Sequence, residues 1–410
     1  MWTRRGFLKA SGLTLFSVGL GGTPMFLARA AEASSGQKPR RKTLVAVFQR
    51  GAMDGLMAVQ PLEDRLLSRH RPRLLLRSSG SAAPVRLDGR FGLHPALAAF
   101  EPLFREGRLA IMHGVGSPDA TRSHFDAQDY METGTPGRKG TATGWLNRAS
   151  GLLGHEGTPF RSVALTSSLP RSLYGPGPAL AISDLAEFKL EASGGRAGED
   201  LESLYRDTSQ ELLRGTGGET FEAMKILSSK EFRGYRPAGA ALYPRSPLGD
   251  ALRQVAQLIK TRVGLEIAFA ESGGWDTHVA QGNVQGSFAN RARDLAQAVA
   301  AFWVDVQDHR EDVVLMTMTE FGRTVRENGS GGTDHGRGSC MFVLGQRVRG
   351  GRVHGTVPEL ARENLEEGRD LPVTTDFRAV FSEVAGKHLQ LSDTAGLFPG
   401  WTGRPPGIMA

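Results

Sequence analysis

The chain has 410 residues, of which 40% are hydrophobic, 23% charged and 7% aromatic, and this balance excludes a mainly disordered, collagenous or multi-span membrane protein. The formal net charge of +7 comes from residues 1–42; the remainder is neutral, so nothing supports a basic face for nucleic acid. The 53 glycines imply many tight turns, and the single Cys340 excludes an intrachain disulfide, so the fold must hold by core burial.

Thr3-Arg4-Arg5-Gly6-Phe7-Leu8-Lys9 resembles the twin-arginine export motif, and no charge follows from Ala10 to Ala28. Gly12, Gly19, Gly21, Gly22 and Pro24 weaken that apolar stretch as a membrane helix, so no stable anchor is expected. Ala28-Arg29-Ala30 supplies a small-x-small site for cleavage after Ala30. The expected partner at this end is the twin-arginine translocation machinery, which carries folded chains to the periplasm or otherwise out of the cytoplasm. Residues 31–42 then read as a polar, basic linker.

Thr43–Phe48 is a continuous apolar run rich in β-branched residues, the mark of a strand buried on both faces. Similar runs recur at Leu109–Met112, Ser162–Leu165, Leu265–Phe269, Val313–Met318 and Met341–Leu344. Between them, Phe288, Ala292, Leu295, Val299, Phe302 and Val306 step by three and four, and Pro95–Leu103, Leu248–Ile259 and Phe377–Val384 predict shorter helices. The alternation predicts an α/β fold over residues 43–410: a doubly wound, mostly parallel sheet with helices on both faces. Residues 183–260, with alternating charge and clustered glycines, read as a mainly helical insertion or cap.

In open α/β sheets ligands bind beyond the carboxyl ends of the strands, so the segments that follow the strands are the candidate site. They bring Arg50 and Asp54, then Asp276 and His278, Glu320 and Arg323, Asp334, His335 and Arg337, and finally His354, each among glycines. Carboxylates and imidazoles drawn from several loops suit Zn²⁺ or Mn²⁺ better than Ca²⁺, which prefers oxygen alone. The spacing of Asp276 and His278 puts both on one face of an extended segment. Asp334-His335 in a glycine turn reads either as a ligand pair or as a turn closed by an Asx bond. Arg50, Arg323 and Arg337 could clamp an anion or form salt bridges. Ser123 stands where a helix starts, running to Thr133-Gly134, and reads either as its N-cap or as a nucleophile beside free N–H groups; Thr121 is the alternative hydroxyl.

The blocks R-G-A-M-D-G-L, R-S-H-F-D-A-Q-D-Y-M-E-T-G-T-P-G, G-W-L-N-R, G-G-W-D-T-H, T-E-F-G-R-T, N-G-S-G-G-T-D-H-G and V-H-G together resemble the domain-of-unknown-function family numbered 1501. That family is grouped with the alkaline phosphatase and sulfatase superfamily. The resemblance implies two divalent ions, one held by Asp54, Asp334 and His335, the other by Asp276, His278 and His354, with Glu320 as a further ligand or orienting group. It implies hydrolysis of an anionic phosphate or sulfate ester, of a small molecule or a glycan, by Ser123. Counting back from Gly134 places the family's nucleophile at His124, one residue past Ser123. The short Asp276-x-His278 spacing departs from the family's as well. These departures leave a second reading, an exported metal- or glycan-binding protein without catalysis. The absence of a C-x-P-S-R block argues against a formylglycine sulfatase.

Overall fold

The computed structural model describes residues 41–77, 79–80, 82–186, 226–227 and 229–410. The expected leader with its cleavage site, the expected linker up to residue 40, and residues 187–225 of the expected insertion lie outside the described residues.

The apolar runs become a nine-stranded sheet. In chain order its strands are β1 (Thr43–Gln49), β2 (Leu109–Gly116), β3 (Ser162–Ala164), β4 (Leu180–Ala181), β5 (Ile267–Ser272), β6 (Val313–Met318), β7 (Ser339–Gly345), β8 (Val353–Gly355) and β9 (Thr375–Asp376). The spatial order is β8-β2-β7-β6-β1-β5-β3-β4, with β9 beside β2. β1 lies at the centre, parallel to β5 with Val45 opposite Ala268, and parallel to β6 with Val45 opposite Leu315. Only β7 runs antiparallel to its neighbours.

Helices cover both faces. Leu44, Ala46 and Phe48 of β1 join one core with Trp145 of α2 (Trp145–Gly151) and Phe381 of α5 (Phe377–Leu389). Val45 and Val47 face the other way, toward Val255 of α3 (Pro247–Lys260) and Val299 of α4 (Ser287–Asp305). Burial on both faces is why β1 has no polar alternation. The fold is thus α/β and doubly wound, with a mostly parallel sheet. Among the described residues no helix is long and apolar enough to cross a membrane.

Three details differ from the sequence reading. A second, three-stranded sheet of Val59–Pro61, Val85–Arg86 and Phe91–Leu93 packs beside the main one, its strands too short to leave a pattern. The fifth strand starts at Ile267, two residues later than the apolar run; Glu266 before it bonds to β1 through its carbonyl, which accepts from Leu44 N at 2.8 Å, while its carboxylate pairs with the buried Arg161. Pro95–Phe100 is a 3-10 turn that hands over to a short α-helix at Glu101–Arg105. Of the insertion, Lys230–Arg233 and α3 are helical. The buried Asp305 carboxylate accepts from Tyr235 (2.5 Å), Tyr243 (2.9 Å) and Lys260 (2.7 Å), fastening residues 235–243 and α3 to α4.

Burial also sets a pH dependence. His94, His113 and His388 are buried, and desolvation pushes each imidazole down to about 4. The unfolded chain binds protons at these rings from about pH 6.5, whereas the folded chain resists until about pH 4, so stability is full above the unfolded value and falls as pH drops through this window. Each ring that must charge costs on the order of 3 kcal/mol. Denaturation midpoints measured from pH 7 to pH 4 should fall steadily. A flat profile across that interval would contradict neutral burial.

Candidate metal centre

Five segments meet beyond the carboxyl end of β1. The chain leaves β1 through Gly51, whose φ of 113° is left-handed, and a Cβ there would stand 2.5 Å from the Asp276 nitrogen. Only glycine lets the turn after β1 press against the loop after β5, and Trp275 N donates to the Arg50 carbonyl at 3.2 Å. The loop after β6 contributes Glu320, fully buried. Its Oε1 accepts from Gly51 N at 2.8 Å, from Gln128 Nε2 at 2.9 Å and, across 2.8 Å, from His124 Nδ1. His124 and Gln128 are one turn apart on α1 (His124–Thr133), so both reach the same carboxylate.

The glycine turn around 331–336 docks on the loop after β5. Gln281 N donates to the Gly331 carbonyl at 2.9 Å and Thr333 N to the Thr277 carbonyl at 3.1 Å. Asn328 Nδ2 donates to the His278 carbonyl (2.9 Å) and to Asp334 Oδ1 (3.0 Å), locking the two loops together. Asp276, His278, Asp334 and His335 therefore share one site.

Asp276 is its hub. Oδ1 lies 2.8 Å from Arg323 Nη1, 3.1 Å from His278 Nε2 and 3.3 Å from His335 Nε2, while Oδ2 lies 3.5 Å from His124 Nε2. His335 Nδ1 meets the Arg122 carbonyl at 2.8 Å, so that nitrogen carries the proton and Nε2 presents its lone pair. Burial holds the His335 imidazole below its ordinary value, which keeps it neutral. His124 uses Nδ1 on Glu320, and its Nε2 is buried with no hydrogen-bond partner. The Glu320 hydrogen bond raises the affinity of His124 for a proton. Burial pushes the Glu320 and Asp276 carboxyls upward, but hydrogen bonds from His124 and Arg323 respectively outweigh it and leave both low and ionised. His278 Nδ1, 2.9 Å from Asp334, likewise lowers that carboxyl.

One ligand atom each from His124, Asp276 and His335 lies within 4.8 Å of the other two. Two imidazoles and a carboxylate are a fitting donor set for a divalent ion, and an orphaned buried nitrogen is what such an ion would satisfy. The outer bonds to Glu320 and the Arg122 carbonyl fix ring orientation in the way metal-bound histidines require.

The remaining sequence candidates are placed differently. Asp54 is buried away from the cluster: Oδ2 accepts from Arg71 Nη1 (2.8 Å) and Gln281 Nε2 (2.7 Å), and Oδ1 caps the short helix Gly55–Ala58 through Met57 N. His354 lies on edge strand β8 with Nε2 against the Arg349 carbonyl at 2.9 Å. The structure thus brings Asp276, His278, Asp334 and His335 together with His124 and places Asp54 and His354 outside that group. The three arginines have carboxylate partners: Arg50 binds Glu132 and Glu271, Arg323 binds Asp276, and Arg337 binds Glu366 while facing the Ser117 carbonyl. Ser123 is exposed and caps α1, its Oγ accepting from Asp126 N at 3.5 Å, while Thr121 Oγ1 accepts from Ser123 N at 3.2 Å. Sequence reasoning missed Gln128, Asn328 and Arg71 altogether. The signal for His124 and Gln128 was present, as a histidine and an amide one turn apart just after the cap.

Solved structures similar to this chain include a sulfatase from Pseudoalteromonas sp., at TM-score 0.41 and 11% identity over 93% of this chain and 74% of that one. The TAB5 alkaline phosphatase matches at TM-score 0.32 and 9% identity, covering 74% of this chain and 91% of its own. A phosphonate monoester hydrolase of Agrobacterium radiobacter matches at TM-score 0.32 and 10% identity, covering 88% and 79%. Among curated proteins, none matches the chain in sequence. The profile described as "Protein of unknown function (DUF1501)" matches residues 110–397, well over half of the chain, and the chain belongs to that family.

Proposed function

We infer that this chain is an exported, metal-dependent hydrolase of phosphate or sulfate esters. The observation that supports it most is the convergence of His124 Nε2, Asp276 and His335 Nε2 at the carboxyl end of a doubly wound sheet, with the His124 nitrogen buried and otherwise unpartnered. These three residues would hold one Zn²⁺ or Mn²⁺, with His278 and Asp334 beside it as a fourth ligand or orienting pair. When bound, the ion supplies Lewis acidity at the ester's anionic group and neutralises charge that develops there.

The chain's own residues prepare that chemistry. Glu320 and the Arg122 carbonyl each keep a proton on Nδ1 of an imidazole, so the lone pairs at Nε2 point inward. The buried Arg323 guanidinium keeps Asp276 ionised and fixes its Oδ1. His278, part exposed and anchored through Nδ1 to Asp334, turns Nε2 into the cluster, 3.1 Å from Asp276 Oδ1 and 2.8 Å from His335 Nε2, where it would pass a proton to a departing alcohol oxygen held there. The twin-arginine-like motif at Thr3–Lys9 supports a site of action in the periplasm or otherwise outside the cytoplasm. The assay is release of nitrophenol from 4-nitrophenyl phosphate and 4-nitrophenyl sulfate by Zn²⁺- or Mn²⁺-loaded protein. Turnover abolished by chelation and restored by the metal supports the reading, and no turnover of either ester under any metal contradicts it.

The second reading, a binding protein without catalysis, draws on Ser123, whose hydroxyl is engaged in capping. Ser123→Ala should cost about 1 kcal/mol of stability and leave the rate within a few-fold of wild type. Loss of the rate by several orders of magnitude at unchanged metal content, with Thr121→Ala active, would instead make Ser123 the nucleophile.

A further inference from the structure

A cavity of about 710 Å³ lies between the ends of β3 and β5, helix α3 and the outer face of α1. Its size is within the range of roughly 300–1,000 Å³ typical of pockets for small organic ligands. Gln128 belongs to both places: it lines this cavity, and its Nε2 donates to Glu320, the carboxylate that orients His124. The cavity and the metal centre thus share a wall.

The lining states what fits. Three guanidinium groups (Arg50, Arg171, Arg253) face three carboxylates (Asp184, Asp250, Glu271), so the charges balance. Each guanidinium already has a carboxylate partner: Arg50 with Glu271 at 2.7 Å, Arg171 with Asp129 at 2.9 Å, Arg253 with Asp250 at 3.6 Å. Among the described lining residues no cation is left over to favour an anion. A hydrocarbon would cover these ion pairs without replacing the hydrogen bonds they make to water. Among the described residues no aromatic ring lines the cavity to stack on a nucleobase or aryl group. The hydroxyl of Ser168, that of Thr166, which donates to the Ser168 carbonyl, and the amides of Gln128 and Gln254, whose oxygens accept from Arg50 and Leu185 N, complete a polar surface interrupted by Leu165 and Leu169. An uncharged polyhydroxylated ring offers alternating donors and acceptors with small apolar faces between them, and it matches this lining.

The geometry points to a carbohydrate site: the cavity binds the neutral sugar of the ester while the anionic group sits at the metal centre. The assignment of the sugar as the ester's alcohol part rests on the hydrolase reading above; binding of the sugar itself does not.

Binding is therefore measured on chelator-treated protein, by titration calorimetry and saturation-transfer NMR, with maltose, cellobiose, lactose and N,N′-diacetylchitobiose. At least one should bind with a millimolar or tighter Kd. Ser168→Trp, at an exposed lining position, should weaken it at least ten-fold, and Arg253→Ala, on a part-exposed side chain, should weaken it several-fold even if the tryptophan variant fails to fold. If no sugar binds, or if binding survives both changes within two-fold, the carbohydrate site is overturned. Because no metal and no turnover enter this measurement, a negative result in the nitrophenyl assay leaves it standing, and the reverse also holds.

Discussion

His335→Ala should remove bound metal and lower turnover by at least about 10²-fold, the scale that altering a ligand's supporting partners alone can reach. The ring supplies Nε2 to the cluster, is held by the Arg122 carbonyl, and packs against Phe321 with ring centroids 5.0 Å apart. His354→Ala is the matched control, since that imidazole faces a backbone carbonyl on an edge strand. Metal content and rate should follow the pattern lost in His335→Ala and retained in His354→Ala. Loss in both would restore the two-trio arrangement that the family resemblance implies. Retention in both would remove the cluster from the chemistry.

The largest effect on stability is expected at Arg71. Its guanidinium is almost wholly buried and makes three bonds of 2.8 Å, to Asp54 Oδ2 and to the carbonyls of Val325 and Thr324. Arg71→Met leaves the Asp54 carboxylate buried without its cation, a change that costs about 3–5 kcal/mol. The double variant Asp54→Asn/Arg71→Met should recover part of that loss, because no buried charge then remains uncompensated. Urea denaturation of the three proteins checks both statements, and a loss below about 1 kcal/mol in the single variant would contradict them. The consequence reaches the metal centre. Gln281, which donates to Asp54, also accepts from Thr277 (2.8 Å) and Thr333 (2.7 Å), the residues that neighbour Asp276, His278 and Asp334. The buried Asp54–Arg71 pair supports the two loops that carry most of the cluster.

The architecture was readable because a doubly wound sheet writes its buried strands as continuous apolar runs. Thr43–Phe48 and Val313–Met318 both became strands with every residue buried. The small second sheet was not readable: two- and three-residue strands carry no period. Within the site, Asp276, His278, Asp334 and His335 stood out as acids and imidazoles in glycine loops after strands, and the structure brings these four together. Asp54 looked equivalent by the same criterion. What sets it apart is Arg71, which lies in a segment that no strand or motif marked. His124 was hidden for a related reason. Its side chain is defined by Glu320, 196 positions away in the chain, and the local pattern, a histidine and an amide one turn apart, does not name that partner. Glycine content announced tight turns, but only the fold shows that Gly51 is needed where the Asp276 loop crosses β1's end.

The central claim is that His124, Asp276 and His335 hold a divalent ion. Anomalous diffraction recorded across the Zn and Mn absorption edges, on crystals of protein exported with its own leader, tests it most directly. The account predicts a single strong peak within roughly 2.0–2.2 Å of His124 Nε2, His335 Nε2 and an Asp276 oxygen. A peak ligated by Asp54 or His354 instead, or no peak at the cluster in protein supplied with both metals, would contradict it.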